Sequence, residues 1–111
     1  MTILPNIGEI KIPDEEFTLY ALNKERDFDK AVAFELALGY NLDNYKLLVD
    51  DIIENISRYN ATPKGDAGFG MKYEVIMRLT GANGKTAKVL TAWINDTKTG
   101  EMRLTNAYID K

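Results

Sequence analysis

The architecture is indicated first by the segment KYEVIMRLTGANGKTAKVLTAWI, residues 72–94. Apolar and polar side chains alternate over residues 72–80, which is typical of a strand with one buried face. Asn83-Gly84 then predicts a hairpin turn, because both turn residues must tolerate positive φ. Residues 85–94 return as a second strand, and after a polar turn the alternation resumes over 102–109. The sequence therefore predicts a three-stranded antiparallel meander.

The register of the hairpin depends on the length of its turn. We expect a two-residue turn at Asn83-Gly84, which pairs Thr80 with Ala87 and Ile76 with Thr91. A three-residue loop is the alternative, and it exchanges the two faces of the second strand, since a slip of one residue inverts every side chain. The expected register puts Leu90, Ala92 and Ile94 on the core face with Val75, Met77 and Leu79, and Val89, Thr91 and Trp93 beside Arg78 on the opposite face.

Three helices are expected ahead of the sheet. Residues 14–22 follow a proline and carry acids in the first turn, where the helix dipole favours them. Residues 28–38 have Asp27 or Asp29 as the N-cap and end before Gly39, which suits the left-handed position after a helix. Residues 44–58 have apolar side chains at i, i+3, i+4 and i+7. The predicted fold class is therefore α+β, with N-terminal helices on one face of a C-terminal antiparallel sheet.

The predicted core lies between these helices and the sheet. Phe28, Val32 and Leu36 stand at i, i+4 and i+8, and with Ala31, Phe34 and Leu38 nearby they give a wide apolar face that we expect to point inward. The residues expected to be buried together are Val32, Leu36, Leu48, Val49, Ile52 and Ile53 from the helices, and Val75, Met77, Leu79, Leu90 and Leu104 from the strands.

With 111 residues, the chain is expected to form a single domain, residues 1–111. We expect residues 1–13 to form a lead-in whose isoleucines either cover the core or add a fourth, edge strand. The helical part then occupies 14–58 and the sheet 72–109. Between them, residues 59–71 contain a proline and three glycines, which predicts a mobile loop.

Two residue types are missing from the composition. The chain has no cysteine and no histidine, which excludes disulfides, thiolate chemistry, thiol or imidazole zinc sites and every mechanism with a histidine base. No spacing of acids resembles a calcium loop, so no metal and no cofactor are expected. No apolar run reaches the roughly 20 residues of a membrane span, so no membrane partner is expected.

Charge is distributed unevenly along the chain. Residues 1–60 carry twelve acids and six bases, whereas residues 61–111 carry five acids and eight bases. The sheet half is thus basic although the net charge is −3. This asymmetry permits a polyanion or an acidic partner on the sheet, while a solvated charge pattern without a ligand is equally compatible with it.

Several short motifs, spread over about residues 10–110, carry a resemblance to a known family. The chain resembles a little-characterised domain found at the C-terminal ends of bacterial polymorphic toxins and in phage head-associated proteins. The residues that carry this resemblance are Asp29-Lys30-Ala31, Phe34, Leu38-Gly39-Tyr40, Asn83-Gly84-Lys85, Thr91-Ala92-Trp93-Ile94, Arg103-Leu104-Thr105 and Tyr108.

The order of helices followed by a sheet is also similar to the nuclease group that includes barnase, EndoU, colicin-type tRNases and RelE. This resemblance implies an RNase toxin domain. The chain departs from barnase and EndoU because it has no histidine, whereas RelE-like members work with Arg, Lys and Tyr. The resemblance further implies an RNA substrate, a cognate immunity protein, and action in the cytoplasm after delivery within a larger secreted or phage-borne polypeptide. No DNA partner is expected.

The expected chemistry is metal-independent RNA cleavage by the adjacent 2′-hydroxyl. This reaction needs a base for that hydroxyl, an acid for the leaving 5′-oxygen, and cations for the charge that grows on phosphorus. The candidate catalytic residues are Arg103, Thr105, Arg78 and Lys30, and the candidate substrate-binding residues are Trp93, which could stack a base, Lys72 and Lys85.

Purely structural interpretations of these residues are also compatible with the sequence. Trp93 fits a core position, and Arg78 and Arg103 could pair with Glu74 or Glu101 across strands. Lys30 fits a solvent-exposed position. The alternative function is a non-catalytic module, such as a phage accessory or immunity-like protein, that docks a protein partner on its open sheet face.

Overall fold

A computed structural model describes residues 2–110 and shows an α+β fold with one five-stranded mixed sheet. The strand order is β1-β5-β4-β3-β2; β1 runs parallel to β5, and the other neighbours are antiparallel. The elements are a 3₁₀ turn at Ile7–Glu9, β1 at Ile10–Lys11, a π-helix at Glu16–Ala21, α1 at Phe28–Leu38, α2 at Tyr45–Asn55 with a 3₁₀ turn at Ile56–Arg58, β2 at Ala61–Asp66, β3 at Gly70–Thr80, β4 at Thr86–Asp96 and β5 at Met102–Ile109.

The three predicted helical segments are present. Asp27 caps α1, because its side chain accepts a hydrogen bond from the backbone N–H of Lys30 at 3.1 Å. Gly39 ends α1 in the left-handed conformation, with φ 74°, as predicted. The first segment differs in type, since residues 16–21 form a single stretch of π-helix.

The predicted antiparallel strands β3, β4 and β5 are confirmed, but the predicted three-stranded sheet lacks two strands that the structure contains. The prediction of a loop over residues 59–71 is wrong, because Ala61–Asp66 pairs with β3 as an edge strand. This strand was missed because only Ala61 is buried, so no alternation marks it, and a bulge interrupts it after Pro63. In the lead-in, Ile10–Lys11 adds the other edge strand.

The prediction of a two-residue hairpin turn is also wrong, and the structure has the alternative, a three-residue loop. Thr80 pairs with Thr86 and Ile76 pairs with Leu90. The backbone N–H of Gly81 donates to the carbonyl of Lys85 at 2.8 Å, and Gly84 adopts φ 80°. This geometry is a turn followed by a left-handed residue that forms a bulge. The slip moves Leu90, Ala92 and Ile94 to the face away from the helices.

The core lies between the helices and one face of the sheet. Leu48 and Ile52 are buried in α2, as predicted, but Val49 is only partly buried and Ile53 is 51% exposed. From the sheet, the residues on this face are Val75, Met77 and Leu79 of β3, Val89, Thr91 and Trp93 of β4, and Met102, Leu104 and Ala107 of β5.

Helix α1 presents only one side of its predicted wide apolar face to the core. Phe28 and Leu36 are 60% and 69% exposed, so the prediction that their stripe faces inward is wrong. The buried set is Ala31, Phe34 and Leu38. Both stripes are apolar, and a tertiary contact selects between them, because a side chain at Gly81 would overlap the carbonyl of Leu38. This close approach fixes the rotation of α1 on the sheet.

Candidate functional site

The sheet face away from the helices is open, and we call it the outer face. It consists of the even-numbered residues of β3 and β4 together with Arg103, Asn106 and Tyr108 of β5 and Asp110 after it, and the edge strands add Lys11, Thr62 and Lys64. In β3 the odd-numbered residues from Val75 to Leu79 are buried in the core, while Ile76, Arg78 and Thr80 are exposed.

Between the terminal pairs Thr80–Thr86 and Gly70–Asp96, side chains on the outer face form four rows across the strands. Because same-face neighbours are two residues apart, adjacent rows are separated by about 7 Å and the first and last by about 20 Å. From the hairpin end, these are the Arg78 row (Arg78, Lys88, Asp110), the Ile76 row (Ile76, Leu90, Tyr108), the Glu74 row (Thr62, Glu74, Ala92, Asn106) and the Lys72 row (Lys72, Ile94, Arg103, Lys11).

Cations outnumber acids on this face. Two of the cations are paired within it: Lys64 lies 3.8 Å from Glu74, and Arg103 lies 3.5 Å from Asp96. Among residues 2–110, no salt bridge involves the other cations of the outer face, which are Lys11, Lys72, Arg78 and Lys88. The cations are Lys11, Lys64, Lys72, Arg78, Lys88 and Arg103, and the acids are Glu74, Asp96 and Asp110.

The ion pair of Arg103 lies at the turn between β4 and β5. The pKa of Asp96 is held below its ordinary value, first by the backbone N–H of Lys98 and also by Thr99 and by the Arg103 guanidinium. Beside Arg103, the bulge in β5 turns Thr105 so that its hydroxyl donates to the carbonyl of Ala92 at 3.2 Å. Asp96 is therefore a carboxylate at neutral pH and orients Arg103.

Lys30 reaches the outer face from α1. The π-helix and α1 both contact β5, which β1 covers only at Met102 and Arg103. From this position the Nζ of Lys30 donates to the Oδ1 of Asn106 at 2.8 Å and lies 5.8 Å from the centre of the Tyr108 ring. The side chain of Lys30 is only 20% exposed. An ammonium group, an amide and a phenol therefore meet beside the Ile76 and Glu74 rows.

Two carboxyl groups accompany Lys30. Asp27 lies 3.9 Å from its Nζ. Burial raises the pKa of Glu16, and the positive charge of Lys30 partly offsets this effect. Burial and the neighbouring charge of Glu15 thus make Glu16 easier to protonate, and Lys30 opposes this effect.

The family model described as "Domain of unknown function (DUF6883)" matches residues 3–111 of the chain. The chain belongs to this family. The match includes all five strands and both α-helices, so the whole outer face lies within the DUF6883 domain. No curated protein and no solved structure matches the chain. The family description names no activity, and the resemblance to toxin and phage-associated domains stays a prediction.

Within residues 2–110, the DUF6883 domain has no group of three or more acidic side chains arranged to hold a metal ion. None of the helices in the same residues combines the length and apolarity that crossing a membrane requires.

The structure groups four of the predicted site residues. Arg103 and Thr105 lie beside each other on β5, and Lys30 reaches the adjacent row through Asn106. Lys72 stands in the same row as Arg103, with Ile94 between them. Because β-strands are about 4.8 Å apart, the Cα atoms of Lys72 and Arg103 are separated by about 10 Å.

The remaining predicted site residues lie elsewhere. Arg78 is about 20 Å from the Lys72 row, which contains Arg103, and Lys85 lies still farther away, in the hairpin loop. Trp93 is 1% exposed, so the prediction that it projects from the open face is wrong. Its indole N–H donates to the hydroxyl of Thr91 at 2.8 Å, which in turn donates to the carbonyl of Val75. The three-residue hairpin loop causes this inversion.

Asn106 was missed by the sequence reasoning, although a signal for it existed. It alternates with Tyr108 on β5, so an outward orientation of both side chains could have been predicted from the strand period. Its bond to Lys30 could not, because it depends on how α1 meets the β5 edge.

Proposed function

We propose that the protein binds single-stranded RNA across the outer face of its sheet. The observation that carries this proposal is the excess of cations on an open face: the Arg78 row borders the partly exposed Ile76 row on one side, and the Lys72 row lies beyond the Glu74 row on the other. Lys72 and Arg103 stand in one cationic row and Arg78 and Lys88 in another. Charge complementarity favours a polyanion at such a surface.

The Ile76 row suits bases rather than phosphates. Ile76 is 44% exposed, Leu90 is buried between its neighbours, and Tyr108 supplies a partly exposed aromatic ring. Unpaired bases stack on aromatic and apolar side chains, whereas the bases of a duplex are hidden from a flat sheet. A single strand can therefore place bases on this row while its phosphates contact the cations on either side.

Removing one of the outer-face cations tests this proposal. Lys72→Gln deletes an exposed charge that takes part in no salt bridge in the described residues. We expect severalfold weaker binding of a labelled uridine oligonucleotide in fluorescence anisotropy. The slope of log K against log salt should become shallower by about 0.7, the value for one phosphate contact on a single strand.

Lys46→Gln is the matched control, because it removes the same charge from an exposed position on α2. We expect its affinity and its salt slope to equal those of the wild type. Equal losses of RNA affinity in Lys72→Gln and Lys46→Gln would show that binding depends only on the net charge of the protein. Absence of RNA binding by the wild type would reject the proposal and leave docking of an acidic partner protein as the better account.

Metal-independent cleavage of the bound RNA is the second candidate function. Arg103 stands one row from Asn106, which accepts a hydrogen bond from Lys30, and Thr105 lies between Arg103 and Asn106 on β5; this grouping favours it. In this reaction the 2′-oxygen loses a proton to a base and attacks phosphorus, and the 5′-oxygen leaves with a proton from an acid. Arg103 would stabilise the charge on the phosphoryl oxygens, and Lys30 would contact phosphate or protonate the leaving group. A cognate immunity protein would then act by covering the outer face.

A further inference from the structure

A recess of about 420 Å³ opens on the outer face where β2 meets β3. It lies at the end of the Glu74 and Ile76 rows, next to the surface proposed to bind RNA. Its volume lies within the range of small-ligand sites. The residues that line it are Tyr59, Asn60, Thr62, Lys64, Glu74 and Ile76.

Two walls of the recess suit a flat ring. Tyr59 is half-buried against the core, and its hydroxyl donates to the carbonyl of Arg78 at 3.0 Å, which holds the phenol in place. Ile76 is 44% exposed and contributes an aliphatic surface. A nucleobase placed here would cover apolar surface that water now contacts.

The polar lining offers an acceptor beside a donor. The Nζ of Lys64 is 3.8 Å from the Oε1 of Glu74, and their side chains are 46% and 34% exposed. This distance is longer than the 2.7–2.9 Å of a charge-assisted hydrogen bond, so both groups can still bond to a ligand. Asn60 adds amide N–H donors, because its Oδ1 already accepts the backbone N–H of Thr2 at 3.0 Å.

We infer that this recess is a subsite for a guanine base of the bound RNA, an inference that rests on the proposed function. The two oxygens of the Glu74 carboxylate can accept from the N1–H and the 2-amino group of guanine. The ammonium of Lys64 can donate to its O6. Adenine, cytosine and uracil do not present two adjacent donors beside an acceptor, so the ion pair complements their Watson–Crick edges less completely.

Oligonucleotides that differ in one base test the inference. The probes are uridine oligonucleotides whose central base is guanine, hypoxanthine, adenine or uracil, titrated against the wild-type protein by anisotropy. We expect the guanine probe to bind about tenfold or more tightly than the adenine probe, the scale of one hydrogen bond to a charged group. Hypoxanthine lacks the 2-amino group and should fall between them.

Glu74→Gln should remove most of the preference for guanine, because an amide offers one acceptor where the carboxylate offers two. Its affinity for the all-uridine probe should be equal to or higher than that of the wild type, since a negative charge is lost from the outer face. Glu101→Gln is the control, because Glu101 lies in the turn before β5, outside the recess. It should keep the guanine preference.

The outcomes separate the inference from the proposal on which it rests. If the wild type binds guanine and adenine probes equally, or if Glu74→Gln keeps the preference, the guanine subsite is wrong and RNA binding stands. If the wild type binds none of the four probes, RNA binding itself is wrong and the subsite falls with it. Should Glu74→Gln fail to fold, the wild-type comparison of guanine with adenine decides alone.

Discussion

Arg103 and Arg78 carry the same charge on the same face but have different surroundings. Arg103 is oriented by Asp96 and lies one row from Asn106 and Lys30, whereas Arg78 stands opposite Lys88 at the far end of the sheet. The sequence identifies both as outward cations but cannot distinguish them. Their difference depends on strand register and on the position of α1, which brings Lys30 to one end only.

The cleavage hypothesis therefore makes different predictions for the two arginines. If Arg103 stabilises the charge on phosphorus, Arg103→Ala should lower the rate of RNA cleavage by roughly 100-fold or more, the scale for losing a preorganised donor. Arg78→Ala should weaken binding severalfold and leave the rate at saturating RNA unchanged. Gels that follow the degradation of total RNA in the presence of a chelator compare the cleavage rates of the two variants.

Three results would count against this mechanism. The first is cleavage that requires added metal, and the second is an equal rate in both arginine variants. The third is the absence of cleavage by the wild type, which would leave RNA binding without chemistry as the function. Urea unfolding of each variant controls for stability, since both arginine side chains are partly or fully exposed.

Among the elements, the β3–β4 hairpin shows which structural features could be predicted from the sequence and which could not. Alternation identified both strands, and Asn83-Gly84 identified the turn, because these are local properties. The loop length could not be obtained in this way. Gly81 packs against the carbonyl of Leu38, and the N–H of Asn83 points at the same carbonyl, at 3.3 Å. This contact with α1 is tertiary, so the local sequence pattern does not contain it.

Helix α2 illustrates a similar limit. Its apolar residues indicate a core helix, but Leu48, Ile52 and Ile53 all fit the period. In the structure Ile52 is fully buried, whereas Ile53 is 51% exposed. The width of the apolar stripe exceeds the width of the contact, so periodicity alone cannot show which isoleucine is covered.

This difference gives a matched pair of stability variants. Ile52→Ala should lower the free energy of unfolding by about 2–5 kcal/mol, because it leaves a cavity between α2 and β3. Ile53→Ala makes the same chemical change on an exposed position and should cost about 0.5 kcal/mol or less. Urea denaturation followed by tryptophan fluorescence measures both values. Similar losses for the two variants would contradict the orientation of α2 on the sheet.

At the scale of the whole molecule, the fold converts a charge asymmetry along the chain into a difference between two faces. The basic C-terminal half supplies the outer face, while the acidic half forms the helices that cover the other face. The net charge is −3. If the outer face binds RNA as proposed, the RNA approaches through the local field of this face, and its binding should weaken steeply as salt is added.

Two isoleucines allow the proposed RNA-binding face to be tested. Ile76 on the outer face and Ile53 on the helical face are similarly exposed, at 44% and 51%. The decisive measurement is a methyl NMR titration of the wild-type protein with a single-stranded uridine oligonucleotide. We predict that the methyl signals of Ile76 shift with RNA concentration and that those of Ile53 do not. Shifts of Ile53 and Leu36 with an unchanged Ile76 would contradict RNA binding on the outer face.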